Sequence, residues 1–121
     1  MNYTSYEIVD SKLAGGVSYK IAKMSFGRRV ELTQQIRDLA ARREFLEAGE
    51  SPGNKMDSAL VASEIDRIYL LWGLKEINGL ELDGAPATPE SLIANGPEDL
   101  FREVVALIKH QCGLSEAERK N

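Results

Sequence analysis

Two side chains with base and nucleophile chemistry stand near the end of the chain, His110 and Cys112. A Cys–His pair makes a thiolate when the imidazole takes the thiol proton. Two positions apart on a helix, however, side chains point in different directions. His110 is also the single histidine, whereas a general base needs an orienting partner and a metal site needs several ligands. The spacing favours a cation near a helix C-terminus for His110 and a small buried or half-buried thiol for Cys112. Glu81, Asp83, Glu90, Glu98 and Asp99 offer carboxylates without the alternating acids and central glycine of a calcium loop. They read as caps and solvated turn residues. Gly15-Gly16 and Gly27 are not followed by Lys-Ser/Thr and form no phosphate cradle. No catalytic residue, cofactor site or metal site emerges, which leaves binding as the expected mode of action.

Two groups of residues suit binding. Arg28, Arg29, Arg37, Arg42 and Arg43 crowd one predicted helix, yet Glu31, Asp38, Glu44 and Glu47 offset most of that field. A solvated face with internal ion pairs is expected there, and a nucleic-acid regulator is the weaker alternative. Tyr69, Leu71 and Trp72 have the character of an interface anchor, since aromatic residues carry much interface energy. At helical spacing the same residues also suit a core.

The elements that must position these groups follow from length and pattern. A chain of 121 residues, 43% apolar and 28% charged, fits one globular domain able to bury a core. The single cysteine excludes an internal disulfide and fits a reducing compartment. No signal peptide is expected, because a basic region followed by an apolar run is missing from the start. The most apolar stretch, residues 65–74, contains Asp66 and Arg67 and is too short to span a bilayer. Net charge runs from +2 over residues 1–48 to −5 over residues 76–121, so the acidic end disfavours nucleic acid.

Residues 3–9 and 17–24 alternate as strands and form a predicted hairpin, residues 1–24. Two strands are marginal alone and must pack on helices or join a larger sheet. The helical part is predicted over 25–121. Ser25 caps a first helix beginning near Arg28, with Leu32, Ile36, Leu39 and Leu46 on one stripe and Arg43 in register. Gly49 is expected to end it in the left-handed conformation. Ser51-Pro52-Gly53-Asn54 reads as a loop, and a second helix runs from Asp57 or Ser58 to about Lys75. Its apolar surface is wide. Val61, Ile65, Ile68, Tyr69 and Trp72 share one face, and Leu60, Leu71 and Leu74 share another. Such a helix is either central or also meets a partner. Turns at Asn78-Gly79 and Asp83-Gly84 bracket a short extended segment with Leu80 and Leu82. Thr88-Pro89 opens a short helix ending at Asn95-Gly96. Pro97-Glu98-Asp99 opens the last main helix, which carries Leu100, Val104, Leu107 and Ile108, with Phe101 at the stripe's edge, and stops at Gly113. Residues 114–121 form a fraying tail. The expected fold is mainly α (α+β).

Several segments carry a family resemblance: residues 23–29 leading into 44–49, Trp72, the run Gly79 to Gly84, Pro86 to Glu90, Gly96-Pro97-Glu98 and residues 114–121. Together they resemble the small tail assembly chaperones of long-tailed bacteriophages and prophages. The likeness covers most of the chain after residue 20 and brings no catalytic or ligand motif. It implies a non-enzymatic protein in the cytoplasm of the bacterial host. Such chaperones bind the tape measure protein, a long helix-rich chain, and keep it soluble until tail tube protein polymerises around it. The tail tube protein is thus a further expected partner. Nucleic acid and membrane are not, and a homo-oligomer remains open. The partner-binding residues expected here are Leu60, Tyr69, Leu71, Trp72 and Phe101. A structural virion component, such as a tail or head completion protein, is the alternative.

Overall fold

In a computed structural model, which describes residues 1–49 and 51–113, the chain has an α+β fold. Strands β1 (Tyr6–Asp10) and β2 (Ser18–Ala22) form the expected hairpin. The two long helices follow, α1 (Phe26–Glu47) and α2 (Pro52–Gly73), then β3 (Leu74–Asn78). A ribbon of β4 (Glu81–Leu82) and β5 (Ala85–Pro86) leads to α3 (Pro89–Asn95) and α4 (Glu98–Gln111).

The hairpin becomes a three-stranded antiparallel sheet in the order β1-β2-β3. This corrects the reading of residues 74–78, which carried the second helix to about Lys75. Leu74 and Ile77 are buried, and the strand pairs with the central strand β2. Backbone bonding to β2 outweighs continuation of the helix, because a central strand left unpaired would bury bare peptide groups. Lys75 is the extra residue of a bulge, since Lys20 pairs with Glu76 while Ile21 pairs with Leu74. Val17, Tyr19 and Ile21 of the β2 segment face the helices and are buried; Ile8 and Lys20 face outward.

Helix starts follow local chemistry. The Ser25 side chain accepts from the Arg28 amide and places the start of α1 at Phe26. Ser51 does the same for α2, accepting from the Asn54 amide at 3.1 Å, with Pro52 in the first turn. Residues 51–54 are therefore a cap and first turn, not a loop, and the cap is Ser51 in place of Asp57 or Ser58. At the end of α1, Ala48 is the C-cap with φ −71°, and Gly49 does not take the left-handed conformation expected of it. The start of α3 matches its sequence: Thr88 and Ser91 form a reciprocal capping box. Gly113 follows α4 with φ +80°. The predicted tail, 114–121, lies outside the described residues.

Two turns place the ribbon. Asp83 and Gly84 both have positive φ, the geometry of a tight hairpin. At the earlier turn only Gly79 does, and a Cβ there would strike the Gly16 carbonyl. The β1–β2 loop and the end of β3 thus touch backbone to backbone.

The core is one cluster. Leu70 of α2, Val104 and Ile108 of α4, and Tyr19 and Ile21 of β2 are its most enclosed members. Gly73 lets α2 and α4 meet closely: a Cβ there would lie 2.7 Å from Ile108 Cγ2. Helix α1 packs principally on α2, and Arg28 reaches Trp72 at the other end of the pair, so the two run antiparallel. Each is 22 residues long, about 33 Å. Contacts from α2 to α3 and α4 include residues from Ser63 to Gly73.

Candidate partner groove

The reactive side chains are dispersed. Cys112 is buried and its thiol is pushed up by that burial, while His110 is exposed. Among the described residues no group of three or more His, Cys, Asp or Glu side chains could hold a metal ion. On α1, Arg37 pairs with Asp38 and Arg43 with Glu47, both at the surface.

Two polar clusters act as fasteners. The Glu103 carboxylate on α4 accepts from Ser11 Oγ at 2.6 Å, the Lys12 amide at 2.9 Å and the Tyr19 hydroxyl at 2.9 Å. Burial works to raise the Glu103 pKa, but the hydrogen bonds together outweigh it and hold the carboxyl below its ordinary value. Burial, with the neighbouring carboxylate, pushes the Tyr19 phenol up to about 12. On the other side of α4, Asp66 of α2 accepts from Arg102 at 2.9 Å and Lys109 at 2.8 Å. Gln111 donates to Glu7 and ties the end of α4 to β1.

Five residues were expected to meet a partner, and α2 separates four of them by face. Tyr69 and Trp72 turn inward and are 7% exposed. Burial raises the Tyr69 phenol, and Lys109 lies 5.3 Å from its ring. Arg28 stacks on Trp72 at 4.5 Å and donates to the Trp72 carbonyl at 2.6 Å. That carbonyl belongs to the last turn of α2, where intrahelical donors run out. Leu60 is 65% exposed and Leu71 41% exposed. At about 100° per residue, Met56, Leu60, Glu64, Arg67 and Leu71 fall on one outer face of α2, away from Tyr69.

The middle of that face forms one wall of a groove of about 370 Å3 between α2, α3 and α4. Ser63, Glu64 and Arg67 line it from α2, with Ile93 from α3 and Phe101 and Arg102 from α4 among its other walls. Ile93 and Phe101 are partly buried apolar side chains packed against the core. The structure thus puts Leu60 and Leu71 on the outer face of α2 and Phe101 in the groove beside it; Leu71 also lines, with Trp72 and with Arg28, Glu31 and Gln35 of α1, a second depression of about 500 Å3, and Tyr69 lies on the opposite side of α2. Met56 and Ile93 escaped the sequence reading. The first was legible as the i−4 neighbour of Leu60 once Ser51-Pro52 is read as a helix start. Ile93 depends on the packing of α3 against α2, which no local pattern encodes.

A groove with apolar floor residues and charged rims suits an amphipathic helix, whose apolar stripe is flanked by polar positions. No protein-family model, curated protein or solved structure matches this chain. Among the described residues no helix is long and apolar enough to cross a membrane.

Proposed function

We propose that this chain is a non-enzymatic assembly chaperone of the tailed-phage type. It holds apolar helical segments of a tape measure protein in the host cytoplasm until tail tube protein encloses them. The observation that carries the reading is the outer face of α2, where Leu60 and Leu71 lie uncovered above and below the wall of the α2–α3–α4 groove. Glu64, Arg67, Glu98 and Arg102 around that groove supply both signs of charge for the flanks of a bound helix. Individual contacts of this kind are weak, and many copies along one long partner would add through multivalency.

Co-expression with a tape measure candidate, followed by affinity capture, tests this. The expected result is a soluble complex that Leu60→Asp with Leu71→Asp weakens about tenfold or more, the loss of about 1.4 kcal/mol. A wild-type chain that leaves the candidate insoluble, or a double variant that captures it equally well, would overturn the proposal.

One observation favours a second reading, a structural virion component. Strand β1 is a sheet edge, and its outward Ile8 is 54% exposed. An open edge accepts a neighbour's strand. Recovery of the chain in purified particles would select this reading, since a chaperone is released before the particle is complete.

A further inference from the structure

We infer that α1 pairs antiparallel with α1 of a second copy of this chain, about a two-fold axis between Ala40 and Ala41. The surface is the side of α1 turned away from α2. At about 100° per residue, Thr33, Arg37, Ala40, Ala41, Glu44 and Ala48 fall within one sector of about 100°. All six are exposed. Leu32, Ile36, Leu39 and Leu46, which carry the contact with α2, lie on the other side of the helix.

Charge complementarity selects a second copy as the occupant. A two-fold axis between positions 40 and 41 brings Arg37 of each chain opposite Glu44 of the other, and Thr33 opposite Ala48. Within one chain Arg37 and Glu44 stand two turns apart, about 10 Å along the axis, too far for a direct pair. Among the described residues Arg37 pairs with its neighbour Asp38 alone, at 3.3 Å, with both side chains more than 70% exposed. Among the described residues Glu44 has no ion-pair partner. Self-pairing therefore gives each charge one opposite partner, in two symmetry-related pairs, which is the self-complementarity an isologous interface requires. At the centre Ala40 meets Ala41 of the partner copy, and small residues let the helix axes come close. Phe45 is 78% exposed in the single chain and sits at the rim of the seam, where a second helix would cover part of its ring.

The pairing leaves the outer face of α2 free, so it stands apart from the tape measure reading and its failure would not touch that reading. Sedimentation equilibrium of the purified full chain, with charge-reversed variants, tests it. A concentration-dependent species of twice the 13.4 kDa chain mass is expected. Arg37→Glu or Glu44→Arg alone places like charges opposite each other at both ends of the seam. Each should weaken association on the order of tenfold. The double variant Arg37→Glu with Glu44→Arg restores opposite pairs and should recover association to within about threefold of wild type. A monomeric wild type overturns the inference, as do single reversals without effect or a double variant as weak as the singles. Circular dichroism of each variant separates loss of pairing from loss of fold.

Discussion

Glu103 is the residue on which one side of the molecule turns. Three donors converge on it, and two of them, Ser11 and the Lys12 amide, belong to the β1–β2 loop. Ser11 in turn accepts from the Leu13 and Ala14 amides at 3.1 and 3.0 Å, so its hydroxyl orders the loop while its proton reaches α4. Glu103→Gln should cost about 1 kcal/mol, because hydrogen bonds to a charged acceptor contribute more than neutral ones and solvent screens part of the gain. The pH dependence has a definite sign. The folded carboxyl titrates below its ordinary value of 4.5. Its contribution is therefore present above that value and lost as pH falls through the lower folded pKa. Urea midpoints of wild type and Glu103→Gln should differ at pH 7 and converge as pH falls below the ordinary carboxylate range. Tyr19 works in the opposite direction. With its pKa raised from 10.0 to about 12, its share of stability is whole below pH 10 and fades above it.

At the scale of elements, two glycines in α2 with different surroundings make a paired experiment. Gly73 abuts Ile108, whose three nearest atoms lie 2.7 to 2.9 Å from an added Cβ, and Ile108 is fully buried. Gly73→Ala should destabilise by about 1 to 3 kcal/mol through overpacking, although alanine is the better helix former. Gly53 sits in the first turn of the same helix, where an added Cβ meets only Ser51 Oγ, at 4.0 Å. Gly53→Ala should be neutral or stabilise by up to about 1 kcal/mol. Thermal unfolding of the two variants checks both signs, and equal effects would discount the close α2–α4 approach. Both strands of the N-terminal hairpin, the caps Ser25 and Thr88 and the Asp83-Gly84 turn were legible, because each depends on residues within a few positions. Ser51-Pro52 carried the same cap-and-proline chemistry as Thr88-Pro89, but Gly53-Asn54 behind it had the composition of a turn. Strand β3 was not legible, since only pairing with β2, more than fifty residues earlier, distinguishes it from a last helical turn.

For the whole molecule, packing is uneven. Helix α4 is fastened to α2 through Asp66, to the loop through Glu103 and to β1 through Gln111, whereas α1 rests chiefly on α2. Local opening follows such contact density. Amides toward the α1–α2 connection, about residues 39–60, should exchange with solvent faster than those of β2 and α4. Hydrogen exchange read by mass spectrometry checks this, and uniform protection across α1 and α4 would argue against the difference. Partner binding on α2 would slow exchange along the face that holds Leu60, which links this measurement to the proposed function.

The candidate groove was legible in part for the same reason. Leu60, Leu71 and Phe101 were visible as apolar residues off the main stripes of their helices; of these Phe101 lines the groove, while Leu60 and Leu71 lie exposed along the adjoining face of α2. Tyr69 and Trp72 looked equally suited to a partner, and the decision between core and surface lay with α4 and Arg28, which cover them. By itself the sequence determined what neighbouring residues decide: helix and strand periods, caps and tight turns. The tertiary structure alone decided which apolar face of α2 is buried, that residues 74–78 join the sheet, and that α2, α3 and α4 leave a groove between them. Those outcomes depend on contacts between distant segments, and a period of 3.6 residues marks an apolar face without saying what will cover it.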